Sequence, residues 1–298
     1  MTIRTVVFGL GSMGYGIAKS LLNSELTVRG IDVNLDAENR FRADGGSTSE
    51  RIDSISNASI VISVVLNAAQ TEDVLFGESG VADTMKQGAV FISCATVAPD
   101  FARNMEARLE KLGVLFLDAP ISGGSVKAAS GQLTVMASGS ATAFKVARPA
   151  LDAMAERVFE LGNSAGAGSA MKVVNQLLAG VHIAAAAEAM TFGISQGIDA
   201  AKTLEVISEC AGTSWMFENR GAHIAKGDYT PHSAVDIFVK DLGIVSDVAR
   251  GSKFSAPLTA AALQQFVAAS GAGFGREDDA AVAKIYARNA SLELPGDS

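Results

Sequence analysis

The feature that most constrains the fold is a glycine-spaced turn near the amino terminus. Gly9, Gly11 and Gly14 directly follow a short β-branched run and open a helical pattern. Between a strand and a helix, these glycines allow a tight turn, close approach of the backbone to a pyrophosphate, and close helix–strand packing. The helix amino terminus favours the phosphate charge. The alternative is an ordinary turn, but the strand–turn–helix context favours a dinucleotide-binding site.

A carboxylate closes the second predicted strand, where such a site needs one. Asp32 is placed to accept hydrogen bonds from both hydroxyls of an adenosine ribose, and it would repel a 2′-phosphate. NAD is therefore predicted rather than NADP, although Arg40 and Arg42 follow closely and could weaken the preference. The alternative interpretation of Asp32 is a solvated acid at a strand end.

The order of hydrophobic patterns predicts two domains. Short β-branched runs alternate with helical stretches up to about Leu161, which is typical of βαβ units and a parallel sheet. After Gly162 the apolar spacing becomes helical throughout, beginning with a long helix over 167–196. We predict a doubly wound Rossmann domain over 1–163 and an all-α domain over 164–298. The predicted strands are Thr5–Phe8, Thr27–Ile31, Ile60–Val65, Ala89–Ser93, Leu115–Asp118 and Leu133–Ser138.

Charge and cysteine content narrow the class of partner and the compartment. The 298 residues carry a formal net charge of −8, which argues against nucleic acid or an anionic membrane surface as the partner. Cys94 and Cys210 have neither a CxxC spacing nor a disulfide pattern, and no signal peptide is evident. The apolar stretch from Leu177 to Met190 is too short to span a bilayer. We expect a cytoplasmic protein with a small-molecule partner.

Two further segments carry residue types suited to chemistry on a small acid. Ser122, Gly123 and Gly124 offer a hydroxyl and unhindered backbone N–H groups that can surround a carboxylate, although a tight turn is the alternative. Lys172 and Asn175 lie three residues apart on the predicted long helix, so they project from the same face. A partly desolvated lysine can take the proton of a hydroxyl group during oxidation and return it during reduction. The alternative for Lys172 is a solvated surface charge.

Four motifs together resemble the β-hydroxyacid dehydrogenase family, which includes 3-hydroxyisobutyrate dehydrogenases, and the resemblance covers nearly the whole chain. They are the glycine turn Gly9, Leu10, Gly11, Ser12, Met13 and Gly14; the segment 118–124; the segment 168–175; and Lys240-Asp241-Leu242. The resemblance implies that the glycine turn binds NAD. It also implies that Ser122, Gly123, Gly124, Asn175 and Lys240 contact the substrate and that Lys172 transfers the proton.

The resemblance assigns further residues to the cofactor. Val65, Leu66 and Asn67 end a strand at the carboxyl edge of the sheet, Thr96 matches a turn beside the nicotinamide ribose, and Lys240 approaches the nicotinamide. The alternative for Lys240 is a helix-end lysine paired with Asp236 or Asp241. In this family the helical domain closes over the active site, and we expect it to mediate a homodimer or homotetramer.

Within the family, four segments resemble the branch that oxidises L-threonate: 176–184, 214–220, 227–231 and 273–279. This implies NAD-linked oxidation at C2 to 2-dehydro-L-erythronate. The alternatives are 3-hydroxyisobutyrate dehydrogenase and tartronate-semialdehyde reductase, and, from another class, a cofactor-binding protein without turnover. Retention of Lys172 argues against the last of these.

Other reactive residue types carry less weight. His182, His223 and His232 have no metal-ligand spacing, so we predict structural histidines and no metal site. Cys94 has no histidine in its motif to activate it, so a packed thiol is expected. The aromatic segment 215–217 fits either the core or the substrate pocket.

Overall fold

The computed structural model describes residues 3–47 and 51–296, and the chain forms two compact units, Met1–Lys172 and Val173–Ser298. The first unit contains the strands and helices of the predicted α/β pattern. In chain order they are β1 (Arg4–Phe8), α1 (Ser12–Asn23), β2 (Thr27–Ile31), α2 (Leu35–Ala43), α3 (Arg51–Asn57), β3 (Ile60–Ser63), α4 (Ala68–Phe76), β4 (Val90–Ser93), α5 (Pro99–Glu110), β5 (Leu115–Asp118), β6 (Ile121–Ser122), α6 (Gly124–Ala129), β7 (Leu133–Ala137), α7 (Ala141–Met154) and β8 (Ala155–Glu160).

Five parallel strands form the main sheet in the order β2-β1-β3-β4-β5. The chain winds outward from β1 to β2 and then in the opposite direction through β3, β4 and β5. The reversal beside β1 is the point where open α/β sheets bind ligands, at the carboxyl ends of the strands. The predicted doubly wound Rossmann fold is thereby confirmed.

Alternate side chains of the central strands enter two separate cores. Val7, Ile62 and Ile92 pack with α1 and α7 on one face, whereas Val61 and Phe91 pack with α4 and α5 on the other. The alternation follows from the two-residue repeat of a strand. Burial on both faces explains why β3 and β4 are continuously apolar in sequence.

A second, smaller sheet has the order β6-β7-β8, in which β6 pairs antiparallel and β8 parallel to β7. Sequence patterns predicted β7 but neither of its neighbours. The two-residue β6 is too short to show a period, and β8 carries Glu156, Arg157 and Glu160 on an edge where charge is tolerated.

The second unit is built from helices around one apolar core, as predicted for the all-α part. Ile183, Phe217, Phe238, Leu242 and Phe266 are fully or almost fully buried there, and the rings of Phe238 and Phe266 stack at 5.2 Å. A buried ion pair between Arg220 and Asp279 lies in this unit as well. The helices are α9 (Ala200–Ser208), α10 (Trp215–Lys226), α11 (Val235–Gly251), α12 (Pro257–Ala269) and α13 (Ala283–Ala290).

The long helix α8 (Ala167–Ser195) begins where it was predicted to begin. Its first residues, through Lys172, belong to the first unit, and the rest belongs to the second. The reason is local, since the start of α8 is hydrogen-bonded to the end of β5. The predicted domain boundary at 163/164 stays a prediction.

Candidate active site

The glycine turn has the geometry that a dinucleotide phosphate requires. Gly9 has a φ of +89°, in the left-handed region that favours glycine. A Cβ on Gly14 would overlap the carbonyl oxygen of Gly9, whereas a Cβ on Gly11 would meet no atom of the chain within 4 Å. Gly11 also caps α1, and no side chain caps that helix end. The open space beside Gly11 and the uncapped N–H groups therefore fit a pyrophosphate.

Asp32 lies directly after β2 and connects the glycine turn to the next loop. Its Oδ2 accepts a hydrogen bond from the Leu10 N–H at 2.5 Å, and its Oδ1 accepts one from the Asn34 N–H at 2.8 Å. Each carboxylate oxygen has a second lone pair, so Asp32 can still accept a hydrogen bond from a ribose hydroxyl.

The two nearby arginines are already engaged. Arg42 donates to Glu38 at 2.9 Å, and the guanidinium of Arg40 lies 4.3 Å from the centre of the Tyr15 ring. Neither side chain is therefore poised to receive a 2′-phosphate, which favours NAD at this edge.

The other predicted cofactor residues follow neighbouring strands at the same carboxyl edge. β3 ends at Ser63, so the predicted extension of this strand to Val65 is wrong, and Val65 and Leu66 lie in the loop after it. Asn67 caps α4 by accepting a hydrogen bond from the Gln70 N–H. Thr96 lies in the loop after β4 and is half-buried. The parallel topology brings these loops to the edge that carries the glycine turn.

Lys172 lies beside the predicted carboxylate-binding segment. Its Nζ donates to the carbonyl oxygen of Ile121 at 2.8 Å, and Lys172 is buried. Ser122 follows Ile121 at once, and Gly123 and Gly124 have φ values of +136° and +77°. The surface alternative for Lys172 is therefore wrong, and the fold brings the Lys172 Nζ and the glycine segment together.

Asp118 anchors the start of α8 in the first unit. Its buried carboxylate accepts hydrogen bonds from the N–H groups of Gly166 and Ser169 and from the hydroxyl groups of Ser138 and Ser169. Burial raises the pKa of Asp118, although these four donors oppose the shift. Asp118 stands at the head of the segment 118–124, yet sequence reasoning gave it no role because its partners are distant in the chain.

A second hydrogen-bonded group lies in the helical unit. Asn175 donates to Gln176, Gln176 donates to Asp241, and Asp241 forms an ion pair with Lys240. The alternative interpretation of Lys240 as a helix-end residue is wrong, since α11 continues to Gly251. Its pairing with Asp241 is present, and sequence reasoning missed the link from Asp241 to Gln176.

Comparison with known families separates this protein from other dinucleotide-binding chains. Residues 4–162 match the family model of the NAD binding domain of 6-phosphogluconate dehydrogenase, and residues 166–286 match the model described as NAD-binding of NADP-dependent 3-hydroxyisobutyrate dehydrogenase. An L-threonate dehydrogenase from Cupriavidus necator is 52% identical over 291 residues, covering 97% of each chain. This chain belongs to the β-hydroxyacid dehydrogenase family.

Solved structures of β-hydroxyacid dehydrogenases resemble the chain over almost its full length. A 3-hydroxyisobutyrate dehydrogenase from Salmonella typhimurium is 47% identical, with a TM-score of 0.90 and coverage of 95% of this chain and 99% of that one. A Mycobacterium tuberculosis 3-hydroxyisobutyrate dehydrogenase with L-serine is 28% identical, with a TM-score of 0.83 and coverage of 96% and 99%. The protein is accordingly an NAD-dependent hydroxyacid dehydrogenase.

The other side chains of this β-hydroxyacid dehydrogenase that the sequence singled out lie in varied surroundings. Burial, with a contribution from Asp118, raises the pKa of the Cys94 thiol to about 12. His223 is hydrogen-bonded to Asp278 at 3.0 Å. Among residues 3–47 and 51–296, no group of three or more His, Cys, Asp or Glu side chains could hold a metal ion. Of the aromatic segment, Phe217 is buried in the core, whereas Trp215 is exposed.

Proposed function

We propose that the enzyme oxidises L-threonate at C2 to 2-dehydro-L-erythronate, with Lys172 as the group that accepts the hydroxyl proton. The observation that carries this proposal is the 2.8 Å contact between the Lys172 Nζ and the Ile121 carbonyl, immediately before the Ser122–Gly124 segment. A proton acceptor and a carboxylate-binding segment are the two groups that a hydroxyacid requires at neighbouring positions. The 52% identity to an L-threonate dehydrogenase supports this choice of substrate.

The proposed chemistry divides between Lys172 and the cofactor. Bound NAD would supply the acceptor for the hydride of C2. Neutral Lys172 removes the proton of the C2 hydroxyl group, so the C–O bond becomes a carbonyl as the C–H bond breaks. In the reverse direction the Lys172 ammonium returns the proton to the carbonyl oxygen.

The other predicted site residues receive binding roles in the proposal. The Ser122 hydroxyl and the backbone N–H groups of Gly123 and Gly124 bind the substrate carboxylate, while Asn175 and Lys240 contact other substrate oxygens. The cofactor is bound by Gly9, Leu10, Gly11, Ser12, Met13, Gly14, Asp32, Val65, Leu66, Asn67, Thr96 and Lys240.

The test is NADH formation by purified protein with L-threonate, D-threonate, D-erythronate, 3-hydroxyisobutyrate and D-glycerate, for wild type and Lys172→Met. We expect turnover of L-threonate and a loss of kcat of about 100-fold or more in the variant, in the range of general acid–base catalysis. Lys145→Met, at an exposed position of α7, serves as the control and is expected to retain activity. Oxidation of another acid alone would reject the substrate, and an unchanged kcat in Lys172→Met would reject the base.

The second candidate activity is that of a 3-hydroxyisobutyrate dehydrogenase, with tartronate-semialdehyde reduction as a related possibility. The 47% identity to the 3-hydroxyisobutyrate dehydrogenase from Salmonella typhimurium favours this activity. It uses the same roles for Lys172 and the Ser122–Gly124 segment. A higher kcat/KM for 3-hydroxyisobutyrate than for L-threonate would establish it, and NADH consumption with tartronate semialdehyde tests the reductase activity.

The proposal includes a cytoplasmic homo-oligomer. The expectation that the apolar stretch is too short to span a bilayer does not hold for α8 as a whole, which is long and apolar enough to cross a membrane. Half of its most apolar window is buried inside the fold, however. Val174, Leu178 and Phe192 are each about half exposed or more and recur along this helix. A second copy would cover this apolar face. Light scattering should give a dimer or tetramer that dissociates in Phe192→Asp, and a monomeric wild type would contradict this part of the proposal.

A further inference from the structure

We infer that Glu106 is a positioning residue for Lys172: by holding the turn that precedes α8, it fixes where the Lys172 Nζ lies relative to the Ile121 carbonyl. Lys172 is the proton acceptor of the proposed function, on which this inference rests. Glu106, Lys172 and Ile121 all belong to the first unit of the chain.

Glu106 lies on the apolar stripe of α5, where a carboxylate is unexpected. The neighbours that share this stripe are buried in a core of the sheet, and they are Ala102, Met105 and Leu109. Glu106 itself is partly buried. A charged group at such a position costs free energy unless a hydrogen-bond donor meets it. The location of Glu106 therefore requires a partner for its oxygen atoms.

The partner is a backbone N–H group just before α8. Both carboxylate oxygens of Glu106 accept a hydrogen bond from the Ala165 N–H, at 3.1 Å and 3.0 Å. Within the described ranges 3–47 and 51–296, the carboxylate has no other hydrogen-bonding or ion-pair partner. Ala165 is 3% exposed, so water does not substitute freely for Glu106 as the acceptor.

Ala165 requires an oxygen atom from Glu106 rather than a negative charge. Burial raises the pKa of the Glu106 carboxyl group, and the charges of Glu110 and Asp118 add to this shift, whereas the Ala165 N–H opposes it. The surroundings of Glu106 are therefore unfavourable to its ionised form. A neutral side chain of the same length with an oxygen acceptor should hold Ala165 equally well.

The contact with Ala165 is the first of a series that fixes the beginning of α8. The next N–H groups precede the first intrahelical hydrogen bonds, so the helix itself offers them no acceptor. Side chains of the first unit accept from them at 2.8–2.9 Å: Gly166 and Ser169 donate to Asp118, and Gly168 donates to the Ser138 hydroxyl group. Glu106 adds α5 to the elements that hold this segment.

Lys172 lies at the end of the same segment. Residues 167–172 span less than about two helical turns, so a rotation of the first turn carries Lys172 with it. A general base must lie within hydrogen-bond reach of the proton that it removes. A displacement of about 1 Å can therefore lower the rate by up to about 10²-fold. Loss of the Glu106 contact should act on the chemical step.

The first test compares Glu106→Met, which removes the acceptor, with Glu106→Gln, which keeps an oxygen atom at the same length. We expect kcat with L-threonate to fall about tenfold or more in Glu106→Met, while the KM for NAD stays within about twofold. Glu106→Gln should keep kcat within about threefold of wild type, since the hydrogen bond to Ala165 is retained. Glu110→Met, at an exposed position near the end of α5, is the matched control. A normal kcat in Glu106→Met, or equal losses in both variants of Glu106, would overturn the inference.

A double variant separates positioning of Lys172 from general damage to the fold. If Glu106 acts through Lys172, adding Glu106→Met to Lys172→Met should leave the residual kcat unchanged within about twofold. A fall by the same factor in both backgrounds would show general damage and would contradict the positioning role. Urea unfolding establishes that each variant is folded in the assay. Glu106→Ala, which also removes the acceptor, replaces Glu106→Met if that variant does not fold.

The single variant Lys172→Met distinguishes failure of the proposed function from failure of the inference. An unchanged kcat in Lys172→Met would reject the proposed proton acceptor and the inference with it. A loss of kcat in Lys172→Met together with a normal kcat in Glu106→Met would reject the inference alone. If another hydroxyacid proves to be the substrate, the same variants are compared with that acid.

Discussion

Asp118 accepts hydrogen bonds from both the backbone N–H and the hydroxyl group of Ser169, at 2.8 Å and 2.6 Å. The pair joins the end of β5 to the first turn of α8. Lys172 follows Ser169 by about one helical turn, so this contact also determines where the lysine lies relative to Ile121. Asp118, which takes no part in the proposed chemistry, thus positions Lys172, the proposed proton acceptor.

We expect Asp118→Asn to lower both stability and activity. The asparagine NH₂ group would face N–H and O–H donors, and the charge that accepts their hydrogen bonds would be lost. The free energy of unfolding, measured in urea, should fall by about 2–4 kcal/mol, the scale of buried charge-assisted hydrogen bonds. Asp83→Asn, at an exposed position, should change it by less than about 0.5 kcal/mol. Equal stability of the two variants would contradict the anchoring role.

Alanine substitutions at two glycines of the cofactor turn should distinguish an effect on NAD binding from an effect on folding stability. Gly11→Ala adds a methyl group into open space, so the melting temperature should change little while the KM for NAD rises about tenfold or more. Gly14→Ala places its Cβ against the carbonyl oxygen of Gly9, so it should destabilise the fold by about 1–3 kcal/mol. Thermal unfolding and initial rates with varied NAD test both expectations. Normal NAD affinity in Gly11→Ala would place the pyrophosphate elsewhere.

The preference for NAD over NADP should depend on Asp32. Asp32→Ala removes the carboxylate that would repel a 2′-phosphate and bind the ribose, so kcat/KM for NAD should fall by about 10- to 100-fold. The ratio of NAD to NADP activity should fall with it. Asp36→Ala, at an exposed position in the first turn of α2, is the control. A constant ratio in Asp32→Ala would show that other groups select the cofactor.

The two cysteines should differ in their reaction with a thiol reagent. The thiolate is the reactive form, and a pKa raised to about 12 leaves Cys94 almost entirely protonated at pH 8. Cys210 is exposed. Native protein should therefore present one reactive thiol at pH 8 and two after denaturation, and Cys210→Ser should present none until it unfolds. Rapid labelling of native Cys210→Ser would contradict the buried state of Cys94.

Short-range patterns accounted for most of the fold. The glycine turn, the apolar runs of β3 and β4 and the extent of α8 could be predicted because each depends on residues a few positions apart. The predictions of strands are wrong where tertiary packing overrides the local sequence pattern. β3 ends at Ser63 although Val64 and Val65 continue its apolar run, and β8 forms at a sheet edge despite its charges.

The sequence by itself determined the division into an α/β part and an all-α part, the dinucleotide turn, and the candidate residues Lys172, Asn175 and Lys240. These features depend on strand and helix periods and on glycine spacing, which involve residues only a few positions apart. Only the tertiary structure decided how these candidates are held. Asp118 meets Ser169 across 51 residues, and Gln176 meets Asp241 across 65. Such partners are brought together by burial of the apolar cores around them. No short-range sequence pattern specifies a hydrogen bond between residues so far apart in the chain.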